Sequence, residues 1–225
     1  SRATLHNQDY INDLDIRIRD TIVVYKSGEI IPKIKQVIKE KREPNTKNIM
    51  IPGICPVCGK HTVREEGTAD VKCVNPNCLA QLERHIINFT GRQAMDIKGF
   101  GSSYVEGLIK YKYVKDIADI YDLCQYREEL VKKTIIGKEK NTDKLLEAIE
   151  QSKNNDPQNL LTGFGIPNVG KTAAKSLMNY FQSIDQLQQA TMEELVQVPD
   201  IGMTSAIAIK NYFEDDKNKQ IIERL

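Results

Sequence analysis

Four of the five cysteines in this chain fall in two short loops. The first is Cys55-Pro56-Val57-Cys58; fourteen residues later comes Cys73-Val74-Asn75-Pro76-Asn77-Cys78. Thiolates are soft ligands, and two such loops supply two corners each of the tetrahedron that zinc prefers. Pro56 and Gly59 shape one knuckle, and Asn75-Pro76-Asn77 shapes the other. Four thiolates fill the shell and leave no place for a reactive water, so the chemistry is structural rather than catalytic. The competing reading of the spacing is two disulfides in a secreted domain. The polar, charged opening residues do not resemble a signal peptide, and zinc in a reducing cytoplasm is the expectation. His61 is expected to be a surface residue of the knuckle. Cys124, the unpaired fifth cysteine, is expected in the core of a helical segment.

A second set of residues points to phosphate. Ile166-Pro167-Asn168-Val169-Gly170-Lys171-Thr172 aligns with Val198-Pro199-Asp200-Ile201-Gly202-Met203-Thr204, and both copies run on to Asn-Tyr-Phe. A third copy begins Ile97-Lys98-Gly99-Phe100-Gly101 and continues into Val105, Leu108 and Ile109. A degraded fourth is Ile135-Ile136-Gly137, followed by Leu145, Leu146 and Ile149. The shared form is an apolar residue, two turn residues, an apolar residue, Gly, then an amphipathic helix. Helical patterns precede the intact copies at Leu82–Phe89, Leu145–Leu161 and Leu187–Val196, giving helix, tight hairpin, helix. The first N–H groups of a helix have no intrahelical partner, and the helix dipole favours an anion there. Glycine lets a phosphate come close and allows positive φ; Lys98, Lys138 and Lys171 add charge. Such contacts ignore base identity and hold DNA by its backbone. The bland alternative is a scaffold of stacked helices; a glycine at one fixed place in every copy argues against it.

Gly165-Ile166-Pro167-Asn168-Val169-Gly170-Lys171-Thr172 also matches the phosphate loop of nucleotide hydrolases, G-x-x-x-x-G-K-[ST]. That loop needs a buried parallel strand before it and a later strand carrying a magnesium-binding carboxylate. Asn154-Asn155-Asp156-Pro157 and the short Leu160-Leu161 stand there instead, so nucleotide binding is the weaker reading.

These sites need elements to position them. Within 225 residues, 40% of them hydrophobic, no apolar run approaches a bilayer span, and a membrane partner is not expected. The net charge of +1 does not identify a partner. Residues 1–50 read as strands: Leu14–Ile18 alternates, Thr21–Tyr25 is β-branched and ends in a Lys26-Ser27-Gly28 turn, and Ile34, Val37 and Ile38 follow. Lys33, Lys35, Lys39, Lys41, Arg42 and Lys47 cluster against only Glu40 and Glu43. Three strands do not close a stable sheet, and Ser1 in place of Met suggests an excised piece. A hairpin around Glu66-Gly67 is expected between the cysteine pairs. After Cys78 the pattern is helical to the end.

Taken together, Ala3-Thr4-Leu5-His6-Asn7, Arg19-Asp20-Thr21, Lys26–Pro32, the four cysteines, Met95-Asp96-Ile97 and the two intact late hairpins are distinctive. The chain resembles the C-terminal portion of bacterial NAD-dependent DNA ligases over essentially its whole length. The resemblance implies a multi-domain, mainly α chain. Its parts are the C-terminal part of an OB-fold (1–50), a four-cysteine zinc finger (51–84) and an all-α helix-hairpin-helix domain (85–225). The repeats of that last domain lie near 97–110, 135–149, 166–181 and 198–213.

The implied function is nick sealing in duplex DNA during replication and repair. A lysine in a separate domain takes AMP from NAD, AMP passes to the 5′-phosphate, and the 3′-OH displaces it. NAD and Mg2+ belong to that full-length enzyme, and this stretch has no Lys-x-Asp-Gly lysine and no catalytic residue of its own. It is expected to bind zinc through Cys55, Cys58, Cys73 and Cys78. It is expected to grip nicked double-stranded DNA through Gly99, Gly101, Gly165, Val169, Gly170, Lys171, Ile201, Gly202 and Thr204, with Lys26 and Arg17 from the OB part. A cytoplasmic, nucleoid-associated monomer is implied. The second hairpin lacks the usual paired glycine spacing, which weighs against Gly137 as a phosphate site. The runner-up is a zinc-finger and hairpin DNA-binding module of another repair or topoisomerase protein.

Overall fold

The computed structural model describes residues 2–26, 32–64 and 67–225. It divides into two compact units, Ser1–Cys78 and Leu79–Leu225.

The first unit opens with a helix, α1 (Gln8–Asp13), where strands were expected. Asn7 caps it by accepting from the Tyr10 N–H, and Asp9 lies in its first turn, where the helix dipole favours an acid. The expected strand at Leu14–Ile18 does not form. Asp15 and Arg19 have positive φ, 46° and 74°, and the stretch makes one isolated bridge, Arg17 to Asn48. The cause is electrostatic. Arg42 donates to both Asp20 oxygens at 2.9 and 2.8 Å and to Asp15 Oδ2 at 2.9 Å, as well as to the Asp15 carbonyl. The Arg17 N–H donates to Asp20 Oδ2 at 2.8 Å. This network satisfies the loop through side chains and fixes a non-extended path, so the alternation puts Ile16 in the core but leaves Ile18 half exposed. Arg42 holds both carboxyls well below the usual carboxylate range.

β1 (Ile22–Tyr25) and β2 (Lys33–Val37) pair antiparallel, Ile22 opposite Val37 and Tyr25 opposite Lys33. Residues 27–31 of the expected turn lie outside the described residues. Ile11, Ile16 and Ile34 form a small core closed by Leu5, Leu14, Ile22, Val37, Ile49 and Ile51. The knuckle segment adds a second antiparallel pair, β3 (Thr62–Arg64) with β4 (Val71–Cys73). Gly67, at φ 76°, helps turn between them, while Glu66 lies outside the described residues. Side chains tie α1 into this unit: Arg64 of the hairpin pairs with Asp9 at 2.7 Å, and the Gln8 side chain bridges the Ile49 carbonyl and the Ile51 N–H.

The second unit is helical: α2 (Leu79–Thr90), α3 (Ser102–Lys110), a 3-10 helix (Ala118–Tyr126), α4 (Arg127–Lys132), α5 (Glu139–Ser152), α6 (Pro157–Gly163), α7 (Lys171–Phe181), α8 (Ile184–Gln189), α9 (Met192–Leu195), α10 (Met203–Glu214) and α11 (Asp216–Glu223). One continuous apolar core runs through it, from Ile86 and Phe89 to Phe213 and Ile221. The helical pattern at Leu145–Leu161 is broken in two, because Pro157 starts a new helix behind Asp156. Leu187–Val196 is broken at Ala190 and restarted by a Thr191–Glu194 capping box. Cys124 is exposed, against expectation. It lies in the 3-10 helix, whose three-residue turn carries Ile117, Ile120 and Leu123 inward and leaves Cys124 one step out of phase. The element directly before Gly165 is the helix α6 rather than a strand, and among the described residues no helix is long and apolar enough to cross a membrane.

Candidate metal centre and nucleic-acid interface

The four cysteine sulfurs converge, all within 4.8 Å of one another. Cys55 Sγ lies 3.9 Å from Cys78 Sγ, and Cys58 Sγ lies 3.5 Å from Cys73 Sγ. These separations are far beyond a disulfide bond. They bracket the roughly 3.8 Å edge of a tetrahedron with zinc–sulfur bonds of about 2.3 Å. The backbone builds the site: Gly59 takes φ 69° and donates to the Cys55 carbonyl, and the Cys78 N–H donates to the Asn75 carbonyl.

The turns also aim donors at sulfur. The N–H groups of Cys58 and Val57 lower the Cys55 thiol. The Asn75 side chain, then the Lys60 N–H, hold Cys58 down at about 6. At Cys73 the Asn75 N–H is the largest influence and lowers the thiol. Burial and the neighbouring sulfurs outweigh it together and raise Cys73 to about 12. Crowded thiols that cannot all ionise alone are what a divalent cation resolves, since it stabilises four thiolates together. His61 is exposed and bridges to Ile54, outside the sulfur cluster.

In the helical unit, four helix starts follow hairpins: α3 after Gly101, α5 after Lys138, α7 after Gly170 and α10 after Gly202. None has a side-chain cap. Of the other helices, α1, α8, α9 and α11 are capped by the side chains of Asn7, Ser183, Thr191 and Asp215, while α4 and α6 are uncapped as well. Glycine in place of such a residue leaves the first N–H groups open.

The conformation of these glycines differs from the expectation. Gly101, Gly170 and Gly202 have φ of −79°, −88° and −88° with extended ψ, which any residue adopts. A Cβ on any of the three would meet nothing within 4 Å. The fold therefore does not require glycine at these positions. The left-handed residues sit two places earlier, at Gly99 (83°), Asn168 (63°) and Asp200 (69°). The aligned repeats carry that signal in their Gly/Asn/Asp choice, and it was missed. Gly165 also needs its φ of 69°, at the end of α6 beside His85.

Gly137 belongs to the other class. Its φ is 111°, and a Cβ would stand 2.9 Å from Asn141 Nδ2. The helix start after it is Lys138, which carries a side chain.

The remaining expected contacts separate as well. Lys171 and Thr204 are exposed in the first turns of α7 and α10. Val169 and Ile201 are buried, and their N–H groups close the turns on the Ile166 and Val198 carbonyls. Their side chains pack inward and thereby anchor the hairpins. Lys98 is paired with Asp96 at 2.6 Å. In the first unit Lys26 is exposed, whereas the Arg17 guanidinium leans on Asp15 at 3.4 Å. Arg42 faces inward and leaves the expected basic cluster.

Asn155 and Asn159 were not singled out from the sequence. Their amides donate to the Met95 and Ala94 carbonyls, both at 2.7 Å, and so pin the first hairpin segment against α6. Next to them, a Cβ on Gly163 would stand 2.7 Å from the Phe89 ring, so α6 packs on α2 only with glycine there. Among the described residues His85 Nε2 is buried with no hydrogen-bond partner, and desolvation lowers its pKa against the pull of the Gly163 and Phe164 backbone.

Three family models match the chain. The NAD-dependent DNA ligase OB-fold domain matches residues 1–46, the NAD-dependent DNA ligase C4 zinc finger domain 55–80, and the helix-hairpin-helix motif 159–222. The zinc finger match and the sulfur cluster both support zinc binding. Among curated relatives, the DNA ligase of Clostridium kluyveri is 50% identical over 88% of this chain and 30% of its own length. Those of Desulforamulus reducens and Clostridioides difficile are 47% and 42% identical over the whole chain and 33% of their own lengths. The chain thus spans about a third of the relatives it matches.

Proposed function

We propose, from the premise that this chain belongs to the NAD-dependent DNA ligase family, that it is the part of such an enzyme that grips nicked duplex DNA by its backbone. The observation that carries this is the set of glycines at 101, 170 and 202. Each starts an uncapped helix, has an ordinary backbone conformation and faces open space. A residue that the fold does not need is explained by something that must come close to the backbone, and a phosphate suits bare N–H groups at a helix start. Lys171 and Thr204 flank these donors, with Gly99 and Gly165 shaping two of the hairpins. Lys26 adds a charge from the OB part, while Arg17 is held back by its ion pair.

The working division is an OB part at 1–50, a zinc finger at 51–84 and a hairpin domain at 85–225. One zinc on Cys55, Cys58, Cys73 and Cys78 fixes the finger. Sealing itself, with NAD and Mg2+, belongs to the whole enzyme, which acts as a monomer in the bacterial cytoplasm. The 225 residues here contain no Lys-x-Asp-Gly lysine and bind without sealing.

The test is a titration of nicked duplex DNA against salt. Binding should be independent of sequence and weaken as salt rises. Gly170→Asp and Gly202→Asp should each weaken it and lower the salt slope by about 0.9 per lost phosphate. Lys171→Ala should cost less, because the main-chain donors remain. Folded glycine variants that bind like the parent would make the hairpins scaffold only.

A further inference from the structure

The two late hairpins share a frame and differ in charge. Counted along the chain, the hairpins at Gly101, Gly137, Gly170 and Gly202 are the first to the fourth, and Pro167, Val169 and Gly170 of the third correspond to Pro199, Ile201 and Gly202 of the fourth. Val169 and Ile201 are buried alike, and Asn168 and Asp200 take the same left-handed turn, φ 63° and 69°. Both helix starts are uncapped glycines with open space before them. Inside this frame, neutral Asn168 is replaced by the exposed Asp200, and the exposed Lys171 is replaced by Met203, 60% exposed. At equivalent places beside the same donors, the fourth hairpin is therefore two unit charges more negative than the third.

Conformation does not require the acid. Asn tolerates a left-handed φ as well as Asp does, and Asn168 occupies the same turn. The Asp200 carboxylate also makes no cap to the α10 N–H groups; it accepts from the Ser176 hydroxyl on α7, at 3.4 Å. Its charge stands exposed at the hairpin tip, two residues before the α10 start at Gly202.

We propose that Asp200 is a built-in attenuator: the fourth hairpin is the weaker of the two late grips because Asp200 repels the phosphate that its backbone attracts. This rests on the backbone-grip reading above. Its use would be in release, since a protein that holds duplex DNA through several hairpins lets go faster if one of them detaches easily.

At roughly 6–8 Å in a water-like dielectric, one unit charge changes phosphate affinity by about threefold, and the effect fades as salt screens it. Asp200→Asn should therefore tighten nicked-DNA binding about threefold at low salt, mostly in the off-rate. Asn168→Asp should weaken it by a similar factor. A gain of affinity does not arise from misfolding, so the first variant tests the idea cleanly.

Two controls decide the cause. Glu223→Gln removes the same charge from the exposed end of α11 and should change binding less. In a Gly202→Asp background, Asp200→Asn should lose most of its benefit, because the site it relieves is already blocked. If Asp200→Asn binds like the parent, or gains no more than Glu223→Gln, or keeps its full gain when Gly202 is blocked, the attenuator is refuted while the backbone grip stands. If Gly170→Asp and Gly202→Asp bind like the parent, the grip itself fails and the attenuator falls with it.

Discussion

Two alanine substitutions should separate a glycine kept for the fold from one kept for a ligand. Gly137 has φ 111°, and a Cβ there meets Asn141 Nδ2 at 2.9 Å. Forcing a non-glycine residue into a sparsely allowed region costs about 1–3 kcal/mol. Asn141 can swing away, so the clash adds little. For a unit the size of Leu79–Leu225, that cost lowers Tm by about 3–10 °C. Gly170 has φ −88° and open space ahead of a Cβ. Alanine is a poorer helix start than glycine, but it also reduces the entropy of the unfolded chain by about 0.4–1 kcal/mol. The two effects nearly cancel, and Tm should stay within a degree or two.

DNA binding should rank the variants the other way. A methyl group at Gly170 holds a phosphate off the backbone and removes a charge-assisted hydrogen bond of about 1.5 kcal/mol, or roughly tenfold in affinity. Gly137→Ala should leave affinity unchanged wherever the protein is folded. The assays are thermal melts followed by the helical circular dichroism signal, and anisotropy titrations on nicked duplex well below both transitions. If Gly137→Ala melts like the parent yet weakens binding as Gly170→Ala does, the division between the two glycine classes is wrong. If Gly170→Ala lowers Tm and leaves binding intact, it is wrong in the opposite direction.

Three further outcomes follow from the structure. Protein purified reduced and without chelator should carry one zinc per chain by metal analysis, and Cys58→Ser should lose it and loosen the first unit, because metal binding and local folding are coupled. In the native zinc-loaded protein, Cys124 alone should react readily with a thiol reagent, since it is exposed while the other four sulfurs are held in the knuckles; slow labelling until unfolding would return Cys124 to the core. The His85 pKa is lowered by burial, so the unfolded chain binds the proton more tightly than the folded one. Stability of the helical unit should therefore be full above about pH 6.5 and fall below it, by at most about 1.4 kcal/mol per pH unit, until the folded pKa is reached. Urea melts at several pH values should show that fall, and His85→Gln should flatten it.

What the sequence conveyed depended on how far the cause lay from the residue. The four-cysteine cluster was legible because a metal site is written in local spacing, and Cys55 to Cys78 hold their own turns. The hairpins were legible because the repeat shows the same turn three times over. Leu14–Ile18 misled because its alternation is a local sign, while its path is set by Arg42, more than twenty residues away, bound to Asp15 and Asp20. The same long-range network removed Arg42 from the basic cluster that runs from Lys33 to Lys47. The start of α1 could have been found: Asn7 followed by Asp9 is a capping signal. Cys124 was misplaced by a period, since an α-helical step from Ile117 and Ile120 carries it inward and a 3-10 step does not.

The glycines carry the most instructive error. Positive φ was one of two reasons for expecting glycine at the hairpins, and it holds for Gly99, Gly165 and Gly137 but fails for Gly101, Gly170 and Gly202. The second reason, close approach of a ligand, is left alone to explain those three. A residue with no internal explanation says more about a partner than one the fold would select in any case. By the same logic the left-handed turn two places earlier discriminates among Gly99, Asn168 and Asp200 only weakly, because all three residue types tolerate it. Their differences are then free to set charge at the hairpin tip, where one negative group changes the strength of a backbone grip and leaves its geometry intact.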